Sequence, residues 1–324
     1  MDEKIFTAIK HEIGKAEKIL LLSHSRPDGD AVGSLLGLGI ILKNAGKEVQ
    51  MVLEDGVPRN FHHLQGSEQI KKNIQDAYDI SIVLDCSDVQ RIGKIFDDQS
   101  TPTINIDHHV TNLNFAEINL VSTKDPATTT ILTKLCRALG FSITHSAAEA
   151  LLTGLITDTI GFRTSNMNPE ALRLAADLME IGADLATLYK KALLDISYQA
   201  ARFWGAGLSS IQLENQLLWA TLSLSDREKA GYHGKDDADL INFLSSIKDA
   251  DVFLIFVEQP DDTVKVSWRS QGGYDVSKIA SYFGGGGHPP AAGAMINGDM
   301  EEVKEKVLKA TRELFEHDKI SILP

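Results

Sequence analysis

The stretch "LLSHSRPDGDAVGSLL", Leu21 to Leu36, decides how the chain is read. An apolar, β-like run stops at His24, and two aspartates follow at Asp28 and Asp30. Small residues then open a pattern of helical spacing. Strand, chemically loaded turn and helix make the first half of a parallel βαβ unit, and such units collect ligands at the carboxyl ends of their strands.

The same order recurs along the first half. "KILLLSH" and "KEVQMVLED" read as strands on either side of the helix "DAVGSLLGLGIILKNAG", which Gly46 stops. "YDISIVLDCSD" and "TPTINIDHH" are β-branched runs that end in acid. "DPATTTILTKLCRALG" reads as a helix with Asp125 as N-cap, Pro126 at its first helical position and Gly140 as terminator. "SAAEALLTGLITDT" and "NPEALRLAADLMEIG" add two more helices. Alternation of this kind predicts an α/β fold, a mostly parallel sheet with helices on both faces, over residues 1–185. A less regular helical connector spans 186–208. A smaller α/β domain, 209–324, contains "QLLWATLSL", "DVFLIFVEQ" and "DTVKVSWRS" and closes with the amphipathic helix "MEEVKEKVLKATRELF".

Composition narrows the class of function. Net charge is −13 over 324 residues, which argues against a broad face for long duplex DNA but leaves room for a short nucleotide in a locally basic cleft. No apolar run is long enough to span a bilayer. "MDEKIF" has no signal-like apolar core, and the two cysteines, Cys86 and Cys136, form no CxxC pair. These features point to the cytoplasm and away from a membrane.

Four segments deliver metal-competent side chains: His24/Asp28/Asp30, then Asp85, then Asp107-His108-His109, then Asp158 in "GLITDTIGF". Taken alone, Asp85 reads more readily as a turn residue. Asp28-Gly29-Asp30 resembles the opening of a calcium loop, but "AVGSLLGLG" supplies none of the later ligands. Together, imidazole and carboxylate donors suit a divalent first-row ion such as Mn²⁺, and Zn²⁺ or Co²⁺ less distinctively. There are more carboxylates than one ion needs, so two ions sharing a bridging carboxylate would use them all. In the second half, "VSWRS" and "FGGGGHPPAAGA" put Arg269 near a glycine run. Consecutive glycines with φ > 0 would form an anion nest, with Arg269 and His288 as further phosphate donors.

In order and spacing, "SHSRPDGDA", "VLD", "DHH" and "TDTIGF" resemble the motifs of DHH-family phosphoesterases, and the C-terminal half resembles the DHH-associated nucleotide-binding domain. That resemblance implies two Mn²⁺, with Co²⁺ or Mg²⁺ as substitutes. His24, Asp28 and Asp85 would hold one; Asp30, Asp85, His108 and Asp158 would hold the other. His109 would face the scissile phosphate and Asp107 would orient its neighbour. Arg163, Ser267, Arg269, Ser270, Gly285, Gly286, Gly287 and His288 would contact substrate. Arg26 stands where many relatives carry Asn, a position that is not a ligand. No covalent protein nucleophile is expected, because "TLSLS" lacks the glycine elbow and neither cysteine has a base.

Family II pyrophosphatases lack the "GGGGH" element, RecJ-type exonucleases carry extra domains, and membrane-bound cyclic-dinucleotide phosphodiesterases add membrane helices. The chain is most similar to the compact oligoribonuclease/pAp phosphatases. The resemblance therefore implies hydrolysis of short RNA, such as pApA or pGpG, to mononucleotides, together with conversion of pAp to AMP. Opening of cyclic dinucleotides is the alternative, and a non-catalytic nucleotide sensor is the reading from a different class. Relatives imply a homodimer.

Overall fold

The structure is a computed structural model that describes residues 2–97, 100–271 and 273–318, apart from the side chains of His288 and residues 314–318. Its chain divides into two compact units, Met1–Asp195 and Ile196–Pro324. The segment 186–208, expected as a connector, is shared between them. Leu188 is buried in the first core and Phe203 in the second.

In the first unit, α1 (Glu3–Lys15), β1 (Lys18–Leu22), α2 (Gly29–Asn44) and β2 (Glu48–Val52) lead to β3 (Ile80–Leu84), β4 (Ile104–Asp107) and β5 (Ile118–Val121). Four helices follow: α3 (Thr128–Ala138), α4 (His145–Asp158), α5 (Pro169–Glu180) and α6 (Leu185–Tyr189). A π-turn, Lys190–Leu194, completes the unit. The sheet order is β2-β1-β3-β4-β5 and every pairing is parallel. Strand order reverses between β1 and β3, so the topological switch point lies at their carboxyl ends.

Alternation sorts the strand side chains. Ile19, Leu21, Ile82, Leu84, Ile104 and Ile106 pack beneath the helices. Leu20, Leu22, Val52 and Val83 face the other way, onto Ile92 and Phe96. On that second face the cover is a 3-10 turn, Val89–Ile92, with its flanking loops.

Helices α2 and α4 approach closely because glycines line the seam. A Cβ at Gly33 would lie 2.5 Å from the Ala150 carbonyl oxygen and 3.0 Å from the Gly154 nitrogen. That closeness brings the first turn of α2 beside the last turn of α4, and so Asp30 toward Asp158.

The second unit holds α7 (Tyr198–Ser209), β6 (Gln212–Glu214), β7 (Leu217–Leu222), α8 (Leu224–Ala230), α9 (Leu240–Leu244), β8 (Val252–Glu258) and β9 (Thr263–Ser270). It continues through α10 (Val276–Tyr282), β10 (Gly286–His288), β11 (Ala291–Asn297) and α11 (Met300–Asp318). Its sheet runs β10-β11-β9-β8-β7-β6, and only β7 and β8 pair in parallel. Among the described residues, no helix is long and apolar enough to cross a membrane.

Gly33→Ala is expected to destabilise the first unit by ~1–3 kcal/mol through overpacking. Gly14→Ala in α1, where a Cβ meets nothing within 4 Å, should instead stabilise by about 0.5–1 kcal/mol. Scanning calorimetry of the two variants beside the parent checks both signs.

Candidate metal centre

Six donor residues leave the ends of secondary-structure elements and converge. His24 lies just beyond β1, and Asp28 is the N-cap of α2 with Asp30 in its first turn. Asp85 directly follows β3, His108 follows β4, and Asp158 ends α4. Three groups have donor atoms within 4.8 Å of one another: His24–Asp28–Asp85, Asp30–His108–Asp158 and Asp85–His108–His109. The Asp85 carboxylate lies between two imidazoles. Its Oδ2 is 3.6 Å from His24 Nε2, and its Oδ1 is 3.6 Å from His108 Nε2. His108 Nε2 is also 3.3 Å from Asp158 Oδ2.

These residues fit divalent cations. His108 Nε2 is buried without a hydrogen-bond partner, although two carboxylates stand nearby. A buried polar atom left unsatisfied costs ~1–3 kcal/mol, and aspartate oxygens arranged around it suit a shared cation. One imidazole nitrogen with several carboxylate oxygens is a donor set for Mn²⁺ and its neighbours.

Local hydrogen bonds aim the donors. His24 Nδ1 is 2.9 Å from the Ser25 carbonyl oxygen, which leaves Nε2 for the centre. Asp28 Oδ1 accepts from the backbone N–H groups of Asp30 and Ala31. Asp30 accepts from the N–H groups of Thr128 and Thr129, at 2.6 and 3.1 Å, and from the Thr129 hydroxyl at 2.8 Å. Thus Asp30 caps α3 from 98 residues away. Asp125, expected as that cap, accepts instead from Ser122 and Lys134. The reason is that α3 begins at Thr128, with Ala127 as its N-cap. Thr128 Oγ1 donates to Asp85 at 3.0 Å.

Asp107 is fully buried and its oxygens are occupied. Oδ1 accepts from the His108 backbone N–H at 2.9 Å and faces His109 Nδ1 at 2.7 Å. Oδ2 accepts from Asn112 Nδ2 at 2.6 Å. Asn112 is itself fixed, since its Oδ1 accepts from Asn114 N–H. Thr128, Thr129 and Asn112 went unnoticed in the sequence. The available signals were Asn112 close behind the DHH triplet and a threonine pair opening a helix that had no cap of its own.

Charge crowding shows in the proton affinities. Burial and the charge of Asp85 push Asp30 up to about 7. Burial and the charge of Asp30 push Asp158 up to about 9. Burial alone would raise Asp85, but His24, His108 and His109 hold it below the usual carboxylate range. Protons and metal ions compete for the same lone pairs here.

Beyond Asp158 the chain carries φ of +49° at Ile160, +68° at Gly161 and +68° at Phe162. For a β-branched residue such as Ile160 this is a strained conformation. The Phe162 N–H to the Thr159 hydroxyl and the Arg163 N–H to the Thr159 carbonyl hold the turn. Arg163 is exposed, and its Nε donates to the Ile160 carbonyl at 3.0 Å.

In the second unit Ser267 and Arg269 share one face of β9, opposite the buried Val266 and Trp268. Ser270 alternates to the other face, where its hydroxyl donates to the carbonyls of Tyr274 and Pro289. Arg269 Nη1 donates to the Trp268 carbonyl. The glycine run differs from an open nest: Gly284 and Gly287 have positive φ, but Gly286–His288 form a strand. Close approach explains two of the glycines, Gly285 and Gly287. A Cβ at Gly285 would fall 2.2 Å from the Gly293 oxygen, and one at Gly287 would fall 2.5 Å from that of Ala291. The side chain of His288 lies outside the described residues.

Millimolar Mn²⁺ should raise the melting temperature of chelator-treated protein, because an ion that binds only the folded state adds about 2.7 kcal/mol at a hundredfold excess over Kd. Asp85→Asn should abolish most of that shift. Differential scanning fluorimetry reads both.

Comparison with known proteins matches both halves of the chain to family models. The DHH family, N-terminal domain, matches residues 18–155, and the DHHA1 domain matches residues 214–317. The bifunctional oligoribonuclease and PAP phosphatase NrnA of Thermus thermophilus is 35% identical over 299 residues, covering 91% of this chain and 89% of that protein. Its namesake from Bacillus subtilis is 26% identical over 90% of this chain and 93% of its own. Among solved structures, an exopolyphosphatase-related protein from Bacteroides fragilis superposes with a TM-score of 0.89 at 27% identity, over 97% of this chain and 96% of the other. The chain belongs to the DHH family of phosphoesterases.

Proposed function

We propose that this phosphoesterase hydrolyses short oligoribonucleotides, roughly two to five nucleotides such as pApA and pGpG, to mononucleotides, and releases phosphate from pAp. The observation that carries the reading is the Asp85 carboxylate with an imidazole on each side. It suits two metal sites with one bridge, an arrangement matched to phosphoryl chemistry. The substrate class is supported by the likeness to the Thermus thermophilus protein, at 35% identity over most of both chains.

We infer two Mn²⁺, with Co²⁺ or Mg²⁺ as substitutes. His24, Asp28 and Asp85 would hold one and Asp30, Asp85, His108 and Asp158 the other. Bound there, the ions supply Lewis acidity toward phosphoryl oxygens and lower the pKa of water. The protein supplies the rest. Asp107 holds His109 by Nδ1, so that the remaining ring nitrogen, Nε2, serves the phosphoryl oxygens. Asn112 fixes Asp107 and thereby the ring. Arg163, Ser267, Arg269, the Gly285–Gly287 segment and His288 bind the nucleotide. Ser270 acts on the glycine segment through the Pro289 carbonyl rather than on substrate. Every residue needed to bind metal is present, which favours an enzyme over a sensor.

The test is incubation of the purified chain with Mn²⁺ and either pAp or pApA, with products separated by chromatography. AMP is expected from both, and none from Asp85→Asn. Turnover of neither substrate by metal-loaded protein would sink the proposed substrate class; turnover of a cyclic dinucleotide alone would replace it. Asn112→Ala should retain activity lowered by about 10–100-fold, the usual loss when a group that orients a reacting side chain is removed.

A further inference from the structure

We propose that Thr128 is a positioning residue for the metal centre, and that its hydroxyl sets the orientation in which the Asp85 carboxylate can serve two ions at once. This deepens the two-ion reading above and rests on it.

The carboxylates of the centre are not held alike. Asp28 accepts from two backbone N–H groups. Asp30 accepts from two more and from the Thr129 hydroxyl. Asp85 belongs to two of the three donor groups, His24–Asp28–Asp85 and Asp85–His108–His109. Yet among the described residues one group comes within hydrogen-bond distance of its carboxylate, the Thr128 hydroxyl, which donates to Oδ1 at 3.0 Å. The imidazoles around it stand farther off, His24 and His108 at 3.6 Å and His109 at 3.7 Å. The most widely shared donor thus depends for its orientation on a single hydroxyl.

Thr128 is fully buried, so it does not meet substrate. Threonine hydroxyls in a helix commonly turn back onto their own backbone, and two along α3 do so. Thr130 donates to the Ala127 carbonyl at 2.6 Å and Thr133 to that of Thr129 at 2.7 Å. The hydroxyl of Thr128 instead crosses to a residue 43 positions away. Its branched β-carbon restricts χ1, and its backbone N–H is anchored on Asp30 Oδ2 at 2.6 Å. One residue therefore ties the shared carboxylate to a second donor. Without the hydroxyl the Asp85 carboxylate is free to turn about χ2, and a turned carboxylate meets one ion at the expense of the other.

The experiment strips the full chain with a chelator, titrates it with Mn²⁺ in a calorimeter and records electron paramagnetic resonance of the loaded protein. The parent should bind two ions and give the spectrum of a magnetically coupled pair. Thr128→Val keeps the shape and removes the hydroxyl. It should weaken Mn²⁺ binding by about 10- to 100-fold and leave the signal of isolated ions. Thr128→Ser should restore both affinity and coupling. Thr133→Val removes another buried hydroxyl from the same helix and should change neither, which separates positioning from a general loosening of α3. Thr128→Ala takes the place of Thr128→Val if the latter does not fold. The proposal is overturned if the variant without the hydroxyl binds two ions within twofold of the parent and keeps the coupled spectrum. It is equally overturned if Thr128→Ser or Thr133→Val loses as much. A parent that binds fewer than two ions sinks the two-ion reading itself, and this role for Thr128 with it.

Discussion

Like charges repel, and this fold gathers Asp28, Asp30, Asp85 and Asp158 around one point at the end of its parallel sheet. Much of the first unit is arranged to tolerate that crowding. The amino end of α2 points N–H groups at Asp28, and the amino end of α3 points N–H groups at Asp30. Both place partial positive charge where anions collect. Imidazoles flank Asp85 on two sides. What these do not neutralise is a demand for cations. Asp107 stands outside that balance because His109 and Asn112 occupy it.

Much of this arrangement is legible in the amino-acid sequence. Apolar runs ending in His24 or in acid mark β1, β3 and β4, and the residues just beyond them include the donors His24, Asp85 and His108. The ordered motifs name all six residues that converge, although Asp28, Asp30 and Asp158 sit at helix ends rather than strand ends. What escapes is what depends on partners distant in sequence. Asp125 sits where a local rule wants a cap, but the true cap is Asp30, contributed by another helix. β5 carries too little pattern in "EINLV" to announce itself. Asn112 looks like any turn residue until Asp107 is seen beside it. In the second unit, two of the glycines that read as an anion nest, Gly286 and Gly287, pair with β11 in a short strand, because close backbone approach and positive φ leave the same mark in sequence. Ser270 and Arg269 are adjacent on a strand and so face opposite ways.

Strain collects at one place as well. Ile160 and Phe162 adopt positive φ immediately after Asp158, at a cost of order 1–3 kcal/mol each. Thr159, through its hydroxyl and carbonyl, holds that turn, and Gly161 lies tight against Tyr189. The turn ends α4 abruptly at a donor, where another turn of helix would carry the chain past the centre. The packing of the core thus maintains a local geometry that propensity alone would refuse.

The glycine seam between α2 and α4 has a further consequence. Side chains packed on side chains can breathe by changing rotamer, whereas backbone lying on backbone has no such freedom. The span from Asp30 to Asp158 is set across that seam and is therefore among the stiffest dimensions of the site. A stiff cage discriminates by ionic radius, where a compliant one adjusts to whatever ion arrives. Selectivity among cations of equal charge would then originate in atoms the sequence omits: the missing side chains of Gly33 and Gly154.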